Sequence, residues 1–220
     1  MGKRGPKPRC TVSTRWSTAL AYAIGLITTD GSLSIDGRHI NLTSKDKILL
    51  ESFKNCLKIH NKIGRKNDGK KNVCYQVQFG DVNFYKFLQS LGLMPNKTKI
   101  LKSIAIPDGY FFDFLRGHFD GDGTFYSYWD PRWRSSFMFY TVFLSVSLNH
   151  VKWLRGEIYK RLGIWSHMDE SSSRVCYQLK YAKRESLVLL KKLYYHQKVI
   201  HLPRKLLKIN KALSIINQQI

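Results

Sequence analysis

The chain has 220 residues, 43% of them hydrophobic and 13% aromatic, which is enough apolar matter for a packed core and too much for a disordered tail. Against 37 lysines and arginines stand only 15 acidic residues, a formal charge of +22; like charges repel in the compact state, so the excess points to a polyanionic partner, and a sequence pI near 10.0 is the electrostatic footprint of nucleic-acid binding. No apolar run reaches membrane-spanning length, no secretory core follows the start, and Cys10, Cys56, Cys74 and Cys176 form no C-x-x-C pair, so a membrane partner, secretion and a structural zinc site are not expected, and reduced thiols in an intracellular protein are.

The opening MGKRGPKPRCTVSTR, with its prolines, glycines and five basic residues, reads as a flexible basic arm over residues 1–16. Next comes ALAYAIGLITTDGSL (19–33), a helix with small residues at helical spacing, Ala21, Gly25 and Thr29, closed by Asp30-Gly31. SLSIDGRHINLT follows, with Asp36-Gly37 between two alternating runs, a strong hairpin signal. Ile40 and Leu42 point one way; His39, Asn41 and Thr43 point the other. A helix is expected over 44–59, then a second hairpin turning at Asp68-Gly69 into NVCYQVQF. In that strand Val73, Tyr75, Val77 and Phe79 make the apolar face, and Asn72, Cys74, Gln76 and Gln78 the polar one. A helix over 82–93 and the basic segment LMPNKTKIL complete the first half.

The second half repeats this order. YFFDFLRGHFDGDGTF (110–125) is a helix carrying Gly117 and Gly121 and ending in Asp122-Gly123. YSYWDPRWRSS (126–136) replaces the short first turn and reads as a long hairpin tip carrying Arg132 and Arg134. In TVFLSVS the alternation sets Val142, Leu144 and Val146 toward the core and Thr141, Ser145 and Ser147 away, with Phe143 interrupting the polar face. A helix is expected over 148–164. RVCYQLKY then repeats the VCYQ of the first half in the same phase, with Arg174, Cys176, Gln178 and Lys180 on its polar side. A helix over 185–196 and the basic HLPRKLLKI close the chain.

Glycine inside a helix costs about 0.5–1 kcal/mol relative to alanine and is kept where another backbone must come close. Two small-residue helices in one chain are natural partners, so the Gly25 and Gly117 faces should pack together. Gly31 and Gly123 suit the left-handed position after a helix end. An aspartate at a helix C-terminus lies at the negative end of the macrodipole, and two brought together are worse. A divalent cation would supply the missing charge, and oxygen-only ligation suits magnesium. Paired metals at a phosphodiester can activate water and stabilise the leaving oxygen.

AIGLITTDG (Ala23–Gly31) and LRGHFDGDG (Leu115–Gly123) resemble the two signature helices of the LAGLIDADG homing endonucleases of the single-chain, two-motif type. The second motif is the closer match. The first has Thr28-Thr29-Asp30 where the family often shows Asp-Ala-Asp, and Asp120 falls on the more variable acidic position. The resemblance implies an α+β fold of two pseudo-symmetric αββαββα repeats, residues 17–106 and 107–220, with paired motif helices at the centre and two antiparallel sheets forming a DNA-binding saddle. It implies a monomeric, site-specific double-strand DNA endonuclease hydrolysing phosphodiesters in a long, loosely palindromic target. Magnesium (Mg2+) would be the cofactor, with manganese or calcium as substitutes, calcium a non-productive one. Asp30 and Asp122 would hold metal with the carbonyls of Thr29 and Gly121. Lys97 and Lys205 match a lysine near the scissile phosphates, with Arg204 the rival in the second half.

The same resemblance places DNA contacts on the polar strand faces and turns. In the first half these are Ser32, Ser34, Arg38, His39, Asn41, Thr43, Gln76 and Gln78. In the second they are Thr124, Tyr126, Arg132, Arg134, Ser145, Ser147, Arg174, Gln178 and Lys180. Glutamine suits adenine, and arginine or lysine suits guanine. Two alternatives stay open: a maturase binding intron RNA, and a catalytically inactive DNA-binding regulator, against which the retention of both Asp30 and Asp122 argues.

Overall fold

A computed structural model describes residues 11–67, 73–169 and 176–220. The Asp68-Gly69 turn, Asn72, Arg174, Val175, Cys10 and the first ten residues of the expected arm lie outside that range. The first repeat runs α1 (Thr18–Thr29), β1 (Gly31–Leu33), β2 (His39–Ser44), α2 (Lys47–Leu57), β3 (Gly64–Asn67), β4 (Val73–Gly80) and α3 (Val82–Ser90). The second runs α4 (Phe111–Asp122), β5 (Thr124–Trp129), β6 (Phe137–Ser145), α5 (Leu148–Leu162), β7 (His167–Asp169), β8 (Tyr177–Tyr181) and α6 (Lys183–Leu193). The expected αββαββα repeat is thus present twice. The basic HLPRKLLKI adds a further helix, α7 (Pro203–Ile215), where the first repeat has only a short 3-10 turn at Lys97–Lys99. Proline at the first helical position lacks only an N–H that the helix would leave unbonded, so Pro203 starts α7 without loss.

Each repeat carries one four-stranded antiparallel sheet, in the orders β1-β2-β4-β3 and β5-β6-β8-β7. Asp36 makes the first hairpin: its Oδ1 accepts the N–H groups of Arg38 and His39 at 3.0 Å each, and Gly37 takes the positive φ (+71°) that the turn requires. The two VCYQ strands pair as expected. Val77 and Phe79 of β4, and Leu179 and Tyr181 of β8, face the core, while Gln76, Gln78, Gln178 and Lys180 lie on the other side.

In β6 the phase is the reverse of the one expected. Phe137, Phe139, Thr141 and Phe143 face the helices, and Met138, Tyr140, Val142 and Leu144 lie on the outer face. Phe143 decides it: its ring packs on His118 and Phe119 of α4 and on Tyr181. Burying three phenylalanines outweighs exposing smaller aliphatic groups, since burial follows apolar area. Ser147, expected on the outer face, is 1% exposed and caps α5; its hydroxyl donates to Leu101 O and accepts from His150 N.

Residues 11–16, at the end of the expected arm, are tied down. Asp81, the N-cap of α3, accepts from Thr11 N (2.7 Å), Val12 N (2.9 Å) and Phe84 N (2.9 Å). Val12 is buried, and Trp16 stacks on Tyr110 with its edge against Phe87.

At the centre α1 and α4 lie side by side. A Cβ on Gly25 would stand inside the Phe114 carbonyl and 2.6 Å from His118 N; one on Gly117 would stand inside the Tyr22 carbonyl, 2.9 Å from its carbon. The two backbones are therefore in direct contact through these glycines. Gly31 and Gly123 serve a different purpose from the left-handed one expected. Gly123 is extended (φ −72°, ψ 158°), and Gly31 does not take a positive φ. Each lets the chain fold back over its own last helical turn: a Cβ would meet Ile27 Cα at 2.6 Å and Phe119 O at 2.6 Å.

Candidate active site between the motif helices

Both motif helices end at the same place. Asp30 is the C-cap of α1, its N–H donating to Leu26 O at 3.0 Å, and Asp122 is the last residue of α4. Gly121 lets them meet, for a Cβ there would press on the Thr29 side chain and lie 3.2 Å from Asp30 Oδ2. Asp30 is half-buried and Asp122 reaches solvent. Burial and the nearby Asp122 push the Asp30 carboxyl up to about 7, against the pull of Lys205 and Lys97. Crowding by protein also raises Asp122, with Lys97 and Lys205 pulling the other way. Without a cation the two carboxylates are an electrostatic liability.

The two lysines read from the basic segments come to this point from opposite sides. Lys97 Nζ donates to Gly31 O (2.5 Å) and Thr29 O (3.3 Å). Lys205 Nζ donates to Phe119 O, Asp120 O (2.9 Å), Gly121 O (3.4 Å) and Gly123 O (2.6 Å). They are 6% and 7% exposed. Each ammonium satisfies carbonyls that a helix end leaves unbonded and neutralises the negative end of the dipole. Burial lowers both to about 8; for Lys97 the opposing pull comes from Asp122 and Asp30, for Lys205 from Asp120 first. Arg204 turns elsewhere, its Nε and Nη2 on Asp46 Oδ2 at 2.8 and 2.6 Å, an ion pair that joins the two repeats beside the site.

A buried scaffold that spacing did not reveal holds these groups. Asp120 is 1% exposed, and its Oδ2 accepts from Tyr22 Oη (2.8 Å) and Leu202 N (2.8 Å), tying α4 both to α1 and to the segment that carries Lys205. Arg116, also 1% exposed, pairs with Asp113 (2.5 Å) and donates to Leu193 O and Ile200 O (2.7 Å each), fixing the α6–α7 connection. His118 and His150 share an Nε2–Nε2 contact of 3.1 Å, and His150 Nδ1 lies 2.7 Å from Lys102 O. Asp113 and Arg116 stand one turn apart on α4; the other partners are far apart in the sequence, and among these contacts the Tyr22–Asp120 bond is the one that joins α1 to α4.

A cavity of 310 Å³ opens beside Asp122, lined by Thr28, Thr29, Lys97, Thr98, Leu101, Leu144, Ser145, Val146 and Cys176. Among the described residues no three His, Cys, Asp or Glu side chains cluster as a metal cage. The donor set is two carboxylates and helix-end carbonyls. It fits a hard cation that keeps water or phosphate oxygens for its remaining positions, as magnesium does.

The outer faces of the two sheets differ. In the first, Ser32 stands opposite Asn41, Asn41 opposite Gln78, and Thr43 opposite Gln76; Asn41 Oδ1 has no partner among the described residues. Arg38 is exposed at the turn, the His39 ring is engaged by Asp36, and Ser34 O accepts from Tyr85 Oη (2.5 Å). In the second, Thr124 stands opposite Val142, Val142 opposite Lys180, Leu144 opposite Gln178, and Tyr126 opposite Tyr140. Arg132 and Arg134 project from the exposed tip between β5 and β6. Ser145 sits at the cavity, its Oγ accepting from Ser147 N at 3.2 Å.

Residues 17–92 match the model of the LAGLIDADG-like domain. No curated protein matches the sequence. Among solved structures, full-length DUF199/WhiA from Thermatoga maritima is similar at 16% identity and a TM-score of 0.58; the match covers 94% of this chain and 64% of that one, so this chain spans less than two thirds of its length. I-SmaMI bound to uncleaveable DNA with a TTCT central four is similar at 14% identity and a TM-score of 0.63, covering 92% of this chain and 93% of that one. The I-LtrWI LAGLIDADG homing endonuclease bound to target DNA is similar at 14% identity and a TM-score of 0.61, covering 91% and 90%. The match to the LAGLIDADG-like domain spans the first repeat, and the whole chain shares its two-repeat fold with solved LAGLIDADG homing endonucleases. No helix among the described residues is long and apolar enough to cross a membrane.

Proposed function

We propose that the protein is a site-specific, divalent-metal-dependent DNA endonuclease that cuts both strands of one long duplex target as a single chain. The observation that carries this reading is the pair of aspartates, Asp30 and Asp122, brought together at the touching ends of two glycine-packed helices between two sheets. Two carboxylates crowded together and partly buried cost free energy, which a bound cation offsets. Asp30 and Asp122, with the helix-end carbonyls, would hold the cations, which when bound supply charge to the phosphate and acidify water.

The chain's own residues do the rest. The outer sheet faces take the major groove and set the register. Arg132, Arg134, Lys180 and Arg38 contact phosphates or guanine edges. Lys97 and Lys205 hold the carbonyls of the last helical turns in place, fixing the direction of both carboxylates and adding positive charge beside the phosphates. Their buried position suits positioning groups, in keeping with the resemblance, in which a lysine near the scissile phosphates helps position or polarise the attacking water. Magnesium is the proposed cofactor and double-stranded DNA the proposed partner. The test is selection of cut sites from a randomised duplex library with magnesium. A single preferred target, cut in both strands, is expected; binding to one target without any cut would favour the inactive DNA-binding reading.

A further inference from the structure

The second sheet presents to its outer side a column made mostly of apolar and aromatic surface, its polar atoms confined to tyrosine hydroxyls. Along β6 the outward residues are Met138, Tyr140, Val142 and Leu144, and β5 adds Tyr126 and Tyr128. The three tyrosine rings form one slab: Tyr126 and Tyr140 have centroids 5.2 Å apart at 20°, Tyr128 and Tyr140 6.2 Å at 9°, and Tyr126 and Tyr128 6.4 Å at 11°. Val142, 1% exposed, fills the floor between Thr124 and Lys180. At the matching place in the first sheet stand His39, Asn41 and Thr43, all polar. A sheet that needed only solubility would not put five of these six residues, apolar or aromatic and partly exposed, on its open face.

Resting on the endonuclease reading, we infer that this slab reads thymine methyl groups, so that the half-site under the second repeat is thymine-rich while the half-site under the first is read by hydrogen bonds. In the major groove the thymine 5-methyl is the one base-edge feature that an apolar surface can select. The cations lie at the margin, Lys180 beside Val142 and Arg132 and Arg134 at the tip, where they can hold phosphates and lay the slab along the groove. The occupant we infer is duplex rather than single-stranded nucleic acid: the three tyrosine rings pack on one another, centroids 5.2–6.4 Å apart, so the faces between them are taken, whereas unpaired bases are held on free aromatic faces.

The test uses the full-length protein and the duplex it selects. Replacing thymidine by deoxyuridine, which removes the methyl and nothing else, should weaken equilibrium binding roughly fourfold per contacted base in one half-site, the value of one buried carbon group, and leave affinity unchanged in the other. The selection profile of Tyr140→Ser should lose its thymine preference in that same half-site, while Tyr140→Phe keeps it; if Tyr140→Ser does not fold, the exposed Tyr128→Ser serves in its place. A selected target with no thymine enrichment in either half, or equal uridine effects in both, overturns this inference alone. Failure to select any duplex overturns the endonuclease reading together with it. Tighter binding of single-stranded RNA, lost in Tyr128→Ser, overturns it in favour of base stacking.

Discussion

The two repeats agree where their helices meet and diverge where their sheets face outward. At the centre each supplies a glycine that admits the other backbone, an aspartate at the helix end, and a buried lysine on the terminal carbonyls. On the sheets the first repeat shows amides, hydroxyls and an imidazole, and the second shows tyrosines and aliphatic groups. The centre is constrained by contact: a methyl group on either glycine collides with backbone. The outer faces are constrained only by what they touch, so they have been free to differ. Two copies of one unit thus share one centre and present two different outer surfaces.

The shared centre breaks first. Gly117→Ala should exceed the roughly 1–3 kcal/mol usual for an overpacked core, because the atoms it meets are Tyr22 backbone and cannot turn aside. Thermal unfolding measures it, and the control is Gly156→Ala in the middle of α5. A Cβ at Gly156 meets nothing within 4 Å, so that variant should gain about 0.5–1 kcal/mol. If the two substitutions had equal effects, the close approach of α1 and α4 would be wrong.

The histidine pair gives the next effect, and it belongs to the second repeat alone. Burial drives His150 from an ordinary value near 6.5 down to about 4, and burial with the neighbouring His150 drives His118 well below its ordinary value. The unfolded chain therefore binds these protons first. Their contribution to stability is full above about pH 6.5 and falls as pH drops toward 4, by on the order of 2–3 kcal/mol for a shift of this size. The raised Asp30 carboxyl gains stability over the same range as pH falls, so the histidine contribution is read as a difference between two proteins. Denaturant unfolding as a function of pH should show the parent losing stability relative to a His118→Leu/His150→Leu double variant as pH falls from about 6.5 toward 4.

A smaller effect tests the link between repeats. Asp46→Asn removes the partner of Arg204, an exposed pair, so it should cost no more than about 1 kcal/mol and less in high salt. DNA binding should respond far more steeply to salt, with a log–log slope of about −0.9 for each phosphate contacted. A flat response would contradict the reading of the basic surface.

Much of the scaffold was legible because it is written locally. Two Asp-Gly helix ends, the Asp36-Gly37 turn and the period-2 pattern of VCYQ depend on neighbours in sequence. What was not legible depends on neighbours in space. The pattern of β6 could be read in either phase, and the large Phe143 chose the core only because α4 offered it His118 and Phe119. Ser147 looks like any polar strand residue until α5 begins beside it. Gly31 and Gly123 suit left-handed caps by their place in the sequence, whereas their need for glycine comes from the returning chain. Asp120 showed no pairing in sequence, since Tyr22 and Leu202 are each far away along the chain.

The most direct measurement is strand-resolved cleavage of the selected target by the parent, Asp30→Asn and Asp122→Asn, with binding to the same duplex measured in parallel. If the carboxylates form one centre at the touching helix ends, the parent cuts both strands, and each variant loses double-strand cleavage while binding the duplex as tightly as before. Full cleavage by either variant would contradict the account.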